Sequence, residues 1–576
     1  MNQFCKTKAL ILAGFFSLLS PGLHAQWTQL GSDIDGEAND DQFGYSVSFS
    51  ADGTIFAAGA PIYDGGGVQR GQARVFKRND GTWTQLGSSF IGTEDLDWLG
   101  YAVSLSGDGT TVAIGVPRIG VGNARGMVQV YKWSGGAWIQ QGTDILGEED
   151  NDQFGSTLSI SADGNTVAIG APTNTGGGID RGHVRVFKMT GGAWIQQGTD
   201  IDGEANSDQS GFSVSLAADG NSLAVGSYLN TGGGIFRGHV RVFKKIGGAW
   251  IQKGTDIDGE ANNDLSGYAV SLSVDGSYLA IGAPINAGGG ISRGHVRVYK
   301  WTGGAWTQLG ADIDGEANSD QSGYSVSLSA DGFALAIGAY NNGGGGSARG
   351  HVRVYKWIGS AWTQQGADID GEADIDLSGW SSSISADGTR VAIGAPTNNA
   401  GGTDRGQVRV YSYCSQSQQF LNAILALAKQ KGKKVYVCHR GITNLQVSAN
   451  ELYFHLFHGD KLGKCEVSYC EGLELRGNDL EQYIGTEVDK TSDESIILYP
   501  NPAGHILNVK WPFHTEQSIQ IQIINSLGQT MINQPVYLNG KDHGTFPINI
   551  QKLPQGIYVL KATGEGYEES RPFTKF

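Results

Sequence analysis

The segment Trp194–Ala249 reads WIQQGTDIDGEANSDQSGFSVSLAADGNSLAVGSYLNTGGGIFRGHVRVFKKIGGA, and the chain is largely built from copies of it. Equivalent tryptophans stand at Trp27, Trp83, Trp138, Trp194, Trp250, Trp306 and Trp362, 56, 55, 56, 56, 56 and 56 residues apart, and the series ends at Tyr411. A fixed period of this length marks a repeat architecture. Within the unit, GFSVSLA alternates large apolar residues with serine, the two-residue period of a half-buried strand. An Asp-Gly pair follows, a strong hairpin signal, and recurs from Asp52, Asp108, Asp163, Asp219, Asp275, Asp331 and Asp387. SLAVGSY comes next, with small residues suited to close packing of backbones. GHVRVFK alternates again, and a Gly-Gly turn leads to AWIQQG. No helical periodicity interrupts these runs.

Four antiparallel strands per unit, repeated seven times, describe a β-propeller. The region begins on a fourth-type strand, Trp27 to Asp33, and ends on a third-type strand, Gly406 to Tyr411. Seven whole blades therefore require Trp27–Asp33 to complete the blade made by residues 378–411, which removes an open sheet edge. The expected fold is mainly β: a seven-bladed β-propeller of four-stranded blades over residues 26–411, its last blade closed by the N-terminal strand.

Composition agrees. Of 576 residues, 89 are glycine, and 73 of these lie between Trp27 and Tyr411. Collagen is excluded because no Gly-X-Y period exists, and global disorder because 39% of residues are hydrophobic. The net charge of −16 resides in the repeats, which hold 24 basic and 41 acidic residues, and it argues against a nucleic-acid partner. Residues 1–25 read as a signal peptide: Lys6 and Lys8, the short apolar run ALILAGFFSLL, then Pro21, Gly22 and Ala25 before a cut at Gln26.

The pairs Phe43-Gly44 and Phe154-Gly155, with Gly59-Ala60-Pro61, Gly170-Ala171-Pro172, Gly282-Ala283-Pro284 and Gly394-Ala395-Pro396, resemble FG-GAP repeats, the blades of integrin-α-like propellers. Ser210-Gly211 and Gly226-Ser227-Tyr228 depart from that pattern. The resemblance covers about two thirds of the chain and implies a binding or interaction surface.

Most units carry Asp-x-Asp-Gly-Glu and a further Asp, as in Asp200, Asp202, Glu204 and Asp208. Clustered oxygens suit a hard cation, so these four are calcium candidates. The calcium loop of integrin-like blades lies between the first two strands, however, where this chain has only Ser-Ala-Asp-Gly or similar. The structural alternative pairs these acids with the recurring Arg70, Arg125, Arg181, Arg237, Arg293, Arg349 and Arg405, or with backbone amides. The second acidic place is lost in two units, which weighs toward structure. His183, His239, His295 and His351 follow four of those arginines, one per blade, and read as packing or surface residues. Unit two departs most from the repeat, at Trp98, Arg118 and Ile119.

Residues 412–476 change character. Two short helices are expected, over QQFLNAILALAKQKGKK and over 449–458, around the strand Val435–Cys438, giving a small α+β Cys/His module. Cys438, His439, His455, His458 and Cys465 form a plausible zinc set, in competition with a Cys438–Cys465 disulfide. Their spacing resembles a small module of secreted bacterial proteins. Residues 477–494 read as a linker. Residues 495–576 alternate as an Ig-like β-sandwich and resemble the type A C-terminal sorting domain of type IX secretion cargo, through Tyr499-Pro500-Asn501-Pro502, Asn525-Ser526-Leu527-Gly528, Leu553-Pro554-Gln555-Gly556-Ile557-Tyr558-Val559 and Lys575. That resemblance implies the type IX machinery as a partner, a Gram-negative source, and release or anchoring at the cell surface.

The sequence thus predicts an exported monomeric propeller that binds a glycan or protein, with membrane contact only by surface anchoring. A hydrolase or lyase with a site at the channel mouth, and a structural matrix protein, are the alternatives. No catalytic signature stands out from the repeat, and calcium and zinc are the only ions suggested.

Overall fold

The computed structural model describes residues 26–414 apart from 80, 119–124 and 345, together with 435–439, 443–447, 461–462, 497–499, 506–510, 517–525, 529–538, 545–554, 556–564 and 567–575. The chain divides into two units, Met1–Gln416 and Ser417–Phe576.

The first unit contains seven antiparallel sheets of one design. In one of them Ser213–Leu216, Ser222–Ser227, His239–Ile246 and Ala249–Gln252 lie side by side. These are the four runs anticipated from the alternation of residues. A fifth, two-residue strand, Ile257–Asp258, was not anticipated. The fourth strand pairs only with the far half of the third, from Phe243 onward, and Ile257–Asp258 takes up the near half at His239 and Val240. Two residues are too few to show a period, so this strand left no signal in the sequence.

The sheets follow one another in a cycle. The serines of the innermost strands, read above as the polar half of an alternating pattern, accept hydrogen bonds from the next sheet. Leu272 donates its amide to Ser215 Oγ at 2.9 Å, Leu328 to Ser271 and Ile384 to Ser327 at 3.0 Å, and Phe49 to Ser383 at 3.0 Å. The last bond returns from the end of the series to its start. The hairpin tips form a second circuit, in which the amide of Val274 donates to Ala330, Ala330 to Ala386, and Ala386 to Ala51. The repeated indoles form a third. Trp306 donates to the Lys253 carbonyl, Trp362 to Leu309, and Trp27 to Gln365 at 2.7 Å. Gln26–Gln29 pairs with Tyr411–Cys414, and Ile34–Asp35 pairs with Gln407–Val408. The architecture is a β-propeller of about seven blades.

The core lies between sheets. Val240, Val242 and Ile257 of one blade pack with Leu272, Leu279 and Ile281 of the next. The second strand is buried along its whole length because a sheet covers each face. Small residues are needed where these faces meet. A Cβ on Gly338 would lie 2.0 Å from the carbonyl oxygen of Gly379, itself at φ +89°. The Gly of each Gly-Ala-Pro-type run packs in this way on the Gly after Phe, Leu or Ser in the following blade.

In the second unit, Val435–His439 pairs with Thr443–Val447 and Lys461–Leu462. Ile497–Tyr499, Ile506–Lys510 and Thr545–Asn549 form one sheet; Thr530–Leu538, Gln517–Asn525, Gly556–Gly564 and Tyr567–Lys575 form another. Leu507, Val509 and Ile548 of the first share a core with Ile519, Ile521, Ile523 and Leu560 of the second. The leader, both expected helices and the linker lie outside the described residues.

Candidate functional site

The acidic motif connects one blade to the next, and the structure gives its members separate tasks. Asp200 accepts a hydrogen bond from Gln196 Nε2 at 2.6 Å through one oxygen, and its other oxygen lies 3.9 Å from His183 Nδ1. Asp202 is exposed, while its carbonyl accepts from Arg241 at 2.5 Å. Glu204 reaches the following blade, 3.8 Å from His239 Nδ1 and 3.7 Å from Arg241. Asp208 is buried. Its Oδ2 accepts from the amides of Glu204 and Ala205 at 2.9 and 2.8 Å, and its Oδ1 accepts from Asn230 at 3.1 Å. The four calcium candidates therefore face four different places. Arg181 donates to the carbonyls of Gly203 and Glu204, while Arg70 and Arg125 pair with Asp95 and Asp150 at 3.0 and 3.7 Å.

Each of the four histidines sits between the Glu of the preceding linker and the first Asp of the following one. Glu204, His239 and Asp256 form one such group, and His183, His295 and His351 each head an equivalent one. The histidines are distributed one per blade, as the spacing suggested, but each collects two carboxylates that the sequence places far from it. Burial holds all four imidazoles below their ordinary pKa, against the pull of the acids.

A second arrangement lies at the entry to the innermost strands. The residue after the recurring glycine is Tyr45, Tyr101, Phe212, Tyr268, Tyr324 or Trp380, and Ser156 in the remaining blade. Neighbouring rings touch at a tilt: Trp380 is 5.4 Å from Tyr45 and 4.7 Å from Tyr324, Tyr45 is 4.8 Å from Tyr101, and Tyr268 lies 4.9 and 4.8 Å from Phe212 and Tyr324. Tyr228 and Tyr340, which stand where other units have proline, extend the cluster at 4.2 Å from Phe212 and 4.3 Å from Tyr324. All eight are half-buried. Burial first, then neighbouring tyrosines, holds the hydroxyls of Tyr45 and Tyr324 far above the usual range. The ring contacts run unbroken through six successive blades, from Phe212 through Tyr268, Tyr324, Trp380 and Tyr45 to Tyr101, so the rings form a collar around the axis of the ring. The signal was present in the sequence as an aromatic after a fixed glycine in six of seven units. It passed unread because such a residue also fits ordinary strand alternation.

Unit two builds onto the same collar. Trp98 stacks on Tyr101 at 6.1 Å and donates to Gln69 at 3.1 Å. Arg118 pairs with buried Asp97 at 2.8 Å and with Glu94 at 3.1 Å, on a left-handed backbone at φ 52°. Ile119 lies outside the described residues. In the second unit Cys438 and His439 occupy the strand Val435–His439, and His455, His458 and Cys465 lie outside the described residues.

Residues 497–574 match the secretion system C-terminal sorting domain family. That tail marks the chain for export by type IX secretion and for contact with its machinery. No curated protein sequence matches the chain. Among solved structures, a putative 6-phosphogluconolactonase from Bacteroides uniformis aligns at 13% identity over 57% of this chain and 86% of its own, with a TM-score of 0.41. The periplasmic gluconolactonase of Pseudomonas aeruginosa aligns at 15% identity over 57% and 85%, with a TM-score of 0.38. U3-55K aligns at 10% identity over 67% and 98%, with a TM-score of 0.39.

Proposed function

We propose that the chain is an exported, seven-bladed propeller of the FG-GAP kind that binds a glycan or protein without catalysis, carried to the surface by an Ig-like sorting domain. The observation that carries this reading is the aromatic collar on the ring axis. Half-buried Tyr and Trp offer large, rigid faces with polar edges, the side chains that dominate binding hot spots. Ser156 leaves one opening in the collar, and Trp98 with Arg118 stands beside the neighbouring Tyr101. Burial keeps the hydroxyls of Tyr45, Tyr268 and Tyr324 protonated throughout the physiological range, which suits donation of hydrogen bonds to a ligand and not proton transfer.

The test is a glycan array on the mature protein, with and without calcium, followed by titration of any hit against Trp380→Ala and Tyr324→Ala. Loss of one hot-spot aromatic is expected to weaken binding by about 30-fold. A ligand whose affinity is unchanged in both variants would place its site elsewhere and sink the reading. A turnover product from any array hit would favour the enzyme alternative.

A further inference from the structure

The four groups headed by histidine take no part in binding at the collar. We propose that each holds a divalent metal ion of the zinc class, clamped between two successive inter-blade linkers. The ligands of one site are His239 Nδ1, Glu204 and Asp256, and three further sites repeat the trio around His183, His295 and His351.

The first argument is spacing. Within each trio the donor atoms all lie within 4.8 Å of one another. The nearest carboxylate oxygens stand 3.6–3.9 Å from Nδ1, which is too long for a hydrogen bond. Two ligands about 2.0–2.2 Å from one tetrahedral ion stand roughly 3.3–3.6 Å apart, so each trio needs to close by only a few tenths of an ångström to seat an ion. The second argument is burial. The four imidazoles are 1–2% exposed, and Nδ1 aims into the gap between the acids.

The third argument is orientation from behind. Gln252 donates to Asp256 Oδ1 at 2.6 Å, and Arg241 lies 3.7 Å from Glu204 Oε1. Each carboxylate is thus fixed by one oxygen and presents the other to Nδ1, as supporting residues fix the ligands of metal sites. The fourth argument is a comparison internal to the chain. Two blades carry glutamine where these carry histidine. Gln72 donates directly to Glu37 at 3.0 Å and Gln407 to Glu372 at 3.3 Å. A neutral donor closes on the acid, and the histidine leaves a gap of ionic size.

One nitrogen and two carboxylates suit zinc and its neighbours, while calcium takes six or more oxygens. An ion on Nδ1 leaves the ring proton on Nε2, where no protein acceptor waits. Affinity is therefore expected to fall about 10–100-fold below that of zinc sites whose histidines are supported on both sides.

The experiment uses the full chain, stripped with a chelator and titrated with zinc by calorimetry and elemental analysis. It is compared with the fourfold variant His183→Gln/His239→Gln/His295→Gln/His351→Gln, which adopts the residue that two blades already use. Any zinc held by residues 412–476 is common to both proteins, so the difference reports the propeller alone. The expected difference is four equivalents, with a melting temperature that rises with zinc in the parent only. If the fourfold variant does not fold, His239→Gln and Asp256→Asn must each lose one equivalent. Equal zinc content in parent and variant overturns the proposal.

Discussion

Two alanine substitutions in one chain test whether the blades are held at backbone contact. Gly338 has an ordinary backbone conformation, so alanine there brings no dihedral strain, and only space opposes it. Its Cβ would stand 2.0 Å from the Gly379 carbonyl oxygen, which already accepts the Ser325 hydroxyl at 2.9 Å. Non-bonded heavy atoms rest near ~3.5 Å, so one blade must retreat by more than an ångström. Overpacking costs about 1–3 kcal/mol, and two backbone walls place this site at the upper end. Loss of the Ser325 bond adds about 1 kcal/mol. The expected total of about 4 kcal/mol moves a urea midpoint down by roughly 1 M if the m-value is about 3 kcal/mol/M. Gly304, in a turn with no atom within 4 Å of an added Cβ, is the control. Alanine there is expected to stabilise by about 0.4–1 kcal/mol by restricting the unfolded chain. Tryptophan fluorescence in urea reads both. Coincident midpoints for Gly338→Ala and Gly304→Ala would refute the close-contact account.

Ser271→Ala strips the Leu328 amide of its acceptor and is expected to cost about 1–3 kcal/mol, with faster hydrogen exchange at Leu328 as the local readout. Removing Gln26–Gln29 exposes the edge of Gln407–Cys414, and concentration-dependent association in analytical ultracentrifugation is the expected result. Acid should loosen the hairpin tips. Burial raises the Asp275 carboxyl, but hydrogen bonds from Ser277 and Ser273 outweigh it and leave the folded pKa lowered. The stability it contributes is therefore present above the unfolded pKa of about 3.9 and is lost as pH falls through the folded value. Thermal melts between pH 5 and pH 2 should show a shallower decline for Asp275→Asn than for the parent; parallel curves would contradict the assignment.

Much of the propeller was legible because its signals are local and repeated: an alternating run, an Asp-Gly turn, and a phase offset that demands pairing of first with last. The site residues were legible only as fragments. His239 lies 35 residues after Glu204 and 17 before Asp256, so no contiguous motif contains the trio, and adjacency arises only when linkers fold across neighbouring blades. The acidic motif drew attention as one cluster because its members are close in sequence, yet the chain turns Asp200, Glu204 and Asp208 toward different partners. Asp208 could be read in advance as a cap for backbone amides. The aromatic collar needed the knowledge that six rings at equivalent positions converge on one axis.

The three hydrogen-bond circuits treat the join between the first and last strands like every other step. Fraying usually begins at chain ends, where few bonds hold the terminal residues. Here the propeller's first strand and last strand are each other's partners within one sheet, so neither is a loose end. Opening any one step leaves the two sides tethered through the rest of the circle, and they close again before a larger region can separate. Protection of this kind resides in the rate of unfolding more than in its equilibrium. It suits a chain marked for export, since a protein outside the cell has no access to energy-dependent refolding.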